Sequence, residues 1–167
     1  MNYATIKPVD IANGEGVRVS LFVSGCTHHC KGCFNQVAWD FDYGQPFTSE
    51  VERDVINLCD RPYIRGLSLL GGEPLDPNNI EPLFTLCRNL KQIFPDKTIW
   101  LYTGYEWESI KHLEILQYID VLVDGRFVQE LRNLRLKFRG SSNQRIIDVQ
   151  KSLESGMTIL LRGNENG

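Results

Sequence analysis

Short apolar segments alternate along the chain with longer amphipathic segments. The short segments are rich in β-branched and aromatic residues, which favour strands. The longer segments repeat apolar residues at helical spacing, which predicts helices at about 49–59, 79–94 and 106–117. Strands that alternate with helices in this way indicate βαβ units and a parallel sheet. The predicted strands are 17–23, 66–70, 98–102 and 119–123.

The remaining parts of the pattern are less regular. Residues 144–149 could form a fifth strand, whereas 131–138 alternate basic and apolar side chains without a clear element. Ser49 and Glu52 have the spacing of a capping box, which predicts the start of the first helix. Four or five βα units are too few to close an eight-stranded barrel. We therefore expect an α/β fold with an open, curved sheet or partial barrel.

The composition fits a globular protein that can bury one core. The chain has 167 residues, of which 42% are hydrophobic and 23% charged. We expect one domain over 1–167, with an ordered core of about 1–162 and a disordered tail at 163–167. The formal net charge is −3 and no basic run is present, which argues against a nucleic-acid surface.

No segment predicts membrane insertion or secretion. No apolar run approaches the length of a membrane span, and the N-terminal residues lack the features of a signal peptide. We therefore expect a cytoplasmic protein without a membrane partner. In that compartment, the five cysteines are expected to be metal ligands or buried thiols rather than disulfides.

Three of the cysteines lie close together, directly after the first predicted strand. Cys26, Cys30 and Cys33 have the spacing Cys-x3-Cys-x2-Cys. Cys59 and Cys87 fall on predicted helices and are expected to be buried. A structural zinc ion or a ferredoxin-type cluster takes four protein ligands. Three thiolates can instead hold three irons of a four-iron cluster and leave the fourth iron open for a substrate.

A zinc site is the alternative interpretation. Thiolates also bind zinc, and His28, His29 or a remote group would then supply the fourth ligand. The iron–sulfur interpretation is favoured because a strand precedes the loop and a glycine-rich turn follows the next strand, and neither feature is needed by a zinc knuckle.

Polar and glycine-rich turns follow the other predicted strands. In parallel α/β folds such turns meet at one edge of the sheet, so we expect them to form one site with the cysteines. At Gly72 and Glu73, a backbone carbonyl and a carboxylate could accept hydrogen bonds from an ammonium group. Asp124 could face a ribose or an incoming peptide, or it could simply cap the next element.

The cysteine spacing resembles the cluster motif of radical S-adenosylmethionine (SAM) enzymes. The wider sequence is similar to the activating enzymes of anaerobic (class III) ribonucleotide reductases. The matching segments run along nearly the whole chain, at 8–14, 21–26, 71–74, 102–105, 121–127 and 139–144. The last two, 121–127 and 139–144, point to this group of activating enzymes.

This resemblance implies a small partial (β/α) barrel of parallel strands and a bound [4Fe-4S] cluster. The ligands would be Cys26, Cys30 and Cys33, and SAM would occupy the open iron. Gly32 stands where many members of the superfamily have an aromatic residue, so an aromatic stack on adenine is not expected there. SAM would instead lie against the backbone of Gly32, Cys33 and Phe34, unless Phe34 is a packing residue.

The other implied contacts with SAM involve the turns. Its amino group would lie at Gly72 and Glu73, and Asp124 is a weaker candidate for a further contact. No catalytic side chain is implied beyond the cluster and SAM. The aromatic segment 35–47 is either a cover that keeps water from the cluster or a surface loop with its own apolar patch.

The resemblance implies a radical SAM oxidoreductase that activates a glycyl-radical enzyme. A 5′-deoxyadenosyl radical made from SAM would generate a glycyl radical on the large subunit of anaerobic ribonucleoside-triphosphate reductase. Electrons would come from an external one-electron donor such as a flavodoxin. The alternatives are a small radical SAM synthase acting on a purine- or pterin-like molecule and, from a different class, a zinc-stabilised binding module.

Overall fold

The computed structural model describes residues 1–162, in which one mixed sheet is flanked by helices. The predicted disordered tail, 163–167, lies outside the described residues. The helices are α1 (Ser49–Cys59), α2 (Ile80–Ile93), α3 (Trp107–Ile110) and α4 (Val149–Ser155). The strands are β1 (Asn2–Asp10), β2 (Val17–Val23), β3 (Gln45–Pro46), β4 (Ile64–Gly71), β5 (Thr98–Tyr102), β6 (Val121–Asp124) and β7 (Arg145–Asp148).

The centre of the sheet is parallel and its edges are antiparallel. The strand order is β3-β1-β2-β4-β5-β6-β7, and the pairs from β2 through β6 are parallel. The four strands predicted first are therefore confirmed, with the parallel pairing expected of βαβ units. The expectation of parallel strands throughout is wrong at the edges, because β1, β3 and β7 pair antiparallel to their neighbours.

The alternation along each central strand divides the apolar residues between two faces. One face packs against the helices and carries Leu21, Leu69 and Leu101, all fully buried. The opposite face carries a smaller cluster around Trp100, against which Phe138 packs edge-on with ring centroids 5.3 Å apart. The sheet thus buries both of its faces near its centre.

Arg18 is a fully buried cation that links β2 to β4 and β5. Its Nε donates to Ser68 Oγ at 2.8 Å, and its Nη2 donates to the carbonyl oxygens of Leu67 at 3.0 Å and Thr98 at 2.7 Å. The guanidinium also lies 5.7 Å from the ring of Trp100. Burial lowers the pKa of Arg18 to about 10, so it stays charged at neutral pH.

Two details of the helices differ from the sequence expectation. The N-cap of α1 is Thr48, whose Oγ1 accepts a hydrogen bond from the Val51 amide at 3.2 Å. The predicted capping box of Ser49 and Glu52 is wrong, since the Glu52 carboxylate instead accepts from Asn89 Nδ2 at 2.6 Å. The predicted helix 106–117 is broken into α3 and a 3₁₀ turn, Glu114–Tyr118.

No helix in residues 1–162 is both long enough and apolar enough to cross a bilayer.

Candidate metal centre

The cysteine loop leaves the C-terminal end of β2 and is held at its base by the aromatic segment that follows it. The Gly25 amide donates to Ala38 O at 2.7 Å and the Cys26 amide donates to Trp39 O at 3.1 Å. Gly25 has φ +101°, and a Cβ atom there would overlap the ring of Phe41. The aromatic segment therefore packs on the base of the loop, and its role as a cover for the cluster stays a prediction.

The three predicted ligands are free thiols on the described loop. Cys26, Cys30 and Cys33 are each partly exposed. The chain turns sharply between them, with positive φ at His29 (49°) and Gly32 (78°). Burial raises the pKa of the Cys26 thiol, and hydrogen bonding from the backbone amides of His28 and His29 opposes that shift.

The other two cysteines lie in the helix-packed core. Cys59 and Cys87 are fully buried, as predicted from their helical positions. Burial raises the pKa of the Cys59 thiol to about 12 and that of Cys87 further still, so both stay protonated. The thiols suited to metal binding are therefore those of the loop.

Glu73 joins three turns at the C-terminal edge of the sheet. Its carboxylate is 1% exposed. Oε1 accepts from the Leu75 amide at 2.9 Å and from Thr103 Oγ1 at 2.8 Å. Oε2 contacts His28 Nε2 at 2.8 Å and accepts from the Gly104 amide at 2.8 Å. The strand-end argument thus correctly brought the cysteine loop and the turns after β4 and β5 to one place.

These contacts change the interpretation of two side chains. The Glu73 carboxylate is engaged by donors of the protein, so an ammonium group held by that carboxylate stays a prediction. His28, considered as a zinc ligand from the sequence, directs Nε2 to Glu73 instead, and His29 stacks on Trp39 with ring centroids 4.3 Å apart. Sequence reasoning missed the link between His28 and Glu73 because 45 residues separate them.

The Gly72 backbone lies against the base of the cysteine loop. Its amide donates to Val23 O at 2.8 Å, and the next amide, of Glu73, donates to Gly25 O at 2.7 Å. A Cβ atom at Gly72 would collide with that same carbonyl oxygen. Gly72 is therefore required for packing against the cysteine loop, and its contact with a ligand stays a prediction.

Asp124 is occupied by neighbours of its own chain. It is 1% exposed, and its carboxylate accepts from Arg145 Nε at 3.1 Å and from the Trp107 amide, at the start of α3, at 2.8 Å. The predicted capping of the next element is not among these contacts, since α3 precedes Asp124 in the chain. Contact with a ribose or a peptide stays a prediction. A cavity of about 310 Å³ lies beside Asp124, Gly125 and Asn143.

Two residues of the cysteine loop face outward. Phe34 is 90% exposed, so the alternative that it is a packing residue is wrong. Gly32 is also exposed, and a Cβ atom there would lie 2.9 Å from the side chain of Gln129. Cys33, between them, is partly exposed.

The donor set fits an iron–sulfur cluster. Iron–sulfur clusters in proteins are held by cysteine thiolates. The three loop cysteines are free and partly exposed. A four-iron cluster takes its thiolates on separate irons, and three accessible thiols in a short loop meet that requirement.

Comparisons with known proteins agree with this site. Residues 12–147 match the family described as a 4Fe-4S single cluster domain. The chain is 47% identical over 146 residues to the anaerobic ribonucleoside-triphosphate reductase-activating protein of Enterobacteria phage T4, covering 87% of this chain and 93% of that protein. The proteins of the same name from Haemophilus influenzae and Escherichia coli are 47% and 45% identical, each covering 86% of this chain and 96% of the relative.

The fold and the thiol loop thus define an iron–sulfur protein with an α/β sheet. More narrowly, the chain belongs to the family of anaerobic ribonucleoside-triphosphate reductase-activating proteins.

Proposed function

We propose that this protein activates an anaerobic ribonucleoside-triphosphate reductase by generating a glycyl radical on its large subunit, with a [4Fe-4S] cluster and SAM as cofactors. The observation that carries the proposal is the loop of three accessible thiols at the C-terminal edge of a parallel sheet, with the other two cysteines buried elsewhere. The names of relatives that are 45–47% identical over most of the chain support the same activity.

Cys26, Cys30 and Cys33 would hold the cluster, and SAM would bind at the iron without a protein ligand. When bound, these cofactors would supply the radical chemistry needed to remove a hydrogen atom from a glycine Cα of the reductase. The protein positions the reacting groups, so that reaction within a complex replaces chance collision. It also limits access of water, a role that the aromatic segment packed on the loop supports.

The contacts with SAM are proposed to be mainly with the backbone. Gly32, Cys33 and Phe34 form an accessible stretch of the loop, and Gly72 is the glycine of the adjacent turn. Glu73 and Asp124 are buried and paired within the chain. We propose that these two carboxylates contribute by holding the turns in place.

The sheet is proposed to be the small partial (β/α) barrel of a single radical SAM domain. The parallel pairing of its central strands, β2 through β6, supports this proposal. The sequence has no second group of closely spaced cysteines that would bind another cluster. We therefore propose an external electron donor such as a flavodoxin.

The experiment is anaerobic incubation of the purified protein with reductant, SAM and the reductase. We expect a glycyl-radical doublet in the EPR spectrum of the reductase, and about four iron and four sulfide per activating chain. The Cys30→Ala variant is the negative control. About one zinc per chain in a colourless protein, or turnover of a pterin without the reductase, would contradict the proposal.

A further inference from the structure

His28 is the side chain that ties the middle of the cysteine loop to the rest of the protein. Its Nε2 lies 2.8 Å from Glu73 Oε2, and the two side chains are 4% and 1% exposed. Among the described residues, this is the one hydrogen bond that joins 27–34 to a distant part of the chain. The other hydrogen bonds of 27–34 are local, such as that from the Cys33 amide to Cys30 O at 3.1 Å.

The acceptor of this bond is itself fixed. Glu73 also accepts from the Leu75 amide, the Thr103 hydroxyl and the Gly104 amide, at 2.8–2.9 Å. A buried carboxylate with four donors has little freedom to move, since each lost contact leaves a polar group unsatisfied. The position of the His28 ring is therefore set by the turns after β4 and β5.

The ring is also held by packing. The edge of the imidazole contacts Tyr105, with ring centroids 4.6 Å apart and planes at 72°. Gly104 lies under the ring, and a Cβ atom there would be 2.5 Å from His28 Cδ2. An alanine at position 104 would thus displace the imidazole without removing any polar group.

We propose that His28 is a positioning residue that holds the cysteine loop in register with the turn at Gly72 and Glu73, so that the cluster ligands and the SAM-binding backbone form one rigid unit. This inference rests on the proposed function, because it concerns how that site binds SAM. His28 acts through Glu73 and needs no contact with the cluster or with SAM.

The first test is the His28→Leu variant, reconstituted with iron and sulfide. We expect cluster content near that of the wild type, since all three thiols remain. The KM for SAM should rise about tenfold or more with little change in kcat, because a hydrogen bond to a buried carboxylate is lost. In EPR titrations of the reduced cluster, the SAM-induced spectral change should need correspondingly more SAM. His28→Gln, which keeps an N–H donor, should recover most of the affinity.

The second test keeps the imidazole but shifts its position. Gly104→Ala should raise the KM for SAM in the same direction, because its methyl group displaces the ring. Combining it with His28→Ala should be no worse than His28→Ala alone, since no ring is then left to displace. His112→Asn is the control, and it should behave like the wild type because His112 is an exposed histidine outside the cysteine loop.

The outcomes separate the inference from the function on which it rests. If SAM changes the EPR spectrum of the wild type, and His28→Leu and Gly104→Ala need no more SAM than the wild type, the positioning role is wrong and the function stands. If SAM does not change the wild-type spectrum, the proposed function fails and the inference fails with it. Should His28→Leu fail to fold, Gly104→Ala alone decides the question.

Discussion

At the scale of single residues, the site is built from thiols that are accessible and carboxylates that are not. The loop cysteines are partly exposed, while Glu73 and Asp124 are each 1% exposed and bonded within the chain. This division assigns different tasks to the two groups. The thiols are partly exposed, and the carboxylates bond to neighbouring elements of the same chain.

The ligand assignment can be tested by comparing two cysteine substitutions. Cys30→Ala should abolish SAM cleavage and reduce iron content, because one of only three proposed ligands is lost. Cys59→Ala should keep cleavage near the wild-type level, at a cost of about 1 kcal/mol in the free energy of unfolding. Anaerobic SAM-cleavage assays and iron analysis give the answer. Loss of cleavage in a folded Cys59→Ala protein would mean that the ligands are wrongly assigned.

The pair of Arg145 and Glu108 should make the free energy of unfolding depend on pH. Its hydrogen bonds lower the pKa of Glu108 from 4.5 to about 2. A lowered folded-state pKa stabilises the protein above pH 4.5, and that contribution is lost as pH falls towards 2. Arg145→Met should therefore lose a pH-dependent contribution of at most about 1 kcal/mol, because Glu108 is exposed and solvent screens the pair. The loss of the buried partner of Asp124 should add roughly 3 kcal/mol.

Denaturant unfolding at several pH values would measure this effect. The difference between the wild type and Arg145→Met should be largest above pH 4.5 and should shrink towards pH 2. Arg135→Met, which changes an exposed side chain, is the control. A difference that does not vary with pH would show that the Arg145 contacts with Glu108 are not formed in solution.

The sequence predicted the thiols of the site but not the bonds that arrange its carboxylates. Ligand spacing within a short loop is local, so Cys26, Cys30 and Cys33 could be selected without a structure. The pairing of His28 with Glu73 depends instead on β2 lying beside β4 in one register. A single sequence carries no signal for that register.

At the scale of elements, continuous apolar strands were predictable and edge elements were not. The strands β4 and β5 are buried through their centres, so their continuous apolar segments could be recognised directly in the sequence. The β1 strand was missed because most of its residues are half-buried or exposed. Helix 106–117 was predicted too long, because its apolar residues reach the core from two separate short elements. Trp107 and Ile110 are buried from α3, and Ile115 and Leu116 are buried from the 3₁₀ turn.

The corrected start of α1 gives a direct test. Thr48→Ala should lower the free energy of unfolding by about 1 kcal/mol, because the Val51 amide loses its side-chain acceptor. Ser49→Ala should change it by less than about 0.5 kcal/mol, as at other surface positions. Urea unfolding of both variants distinguishes them. A larger effect at Ser49 would restore the capping box predicted from the sequence.

A second prediction at this scale concerns the aromatic segment, 35–47, and the stability of the cluster in air. Trp39→Ala removes the ring that stacks on His29, and should let oxygen and water reach the loop more easily. The iron–sulfur absorbance of the reconstituted protein should then decay several-fold faster in air. Tyr43→Ala changes a more exposed ring of the same segment and should have little effect. Equal decay of Trp39→Ala and wild type would make the segment an ordinary surface loop.

At the scale of the whole molecule, stability is concentrated in the middle of the sheet. The strands β2 and β4 pair along their full lengths and bury nearly all of their residues, while 131–135 are exposed. Native-state hydrogen exchange should therefore be slowest at Leu21 and Leu69 and fast at Arg135. Strong protection at Arg135 would show that this part of the chain is more firmly packed than its exposure suggests.

The contacts of Arg18 fix the start of the parallel strands with bonds that depend on neither acid nor salt. Its acceptors are carbonyl and hydroxyl oxygens, so acid does not titrate them, and burial shields them from added salt. The cysteine loop and the turns of the site lie at the opposite end of the same strands. The end of the sheet that Arg18 joins should therefore stay assembled under conditions that disturb the site.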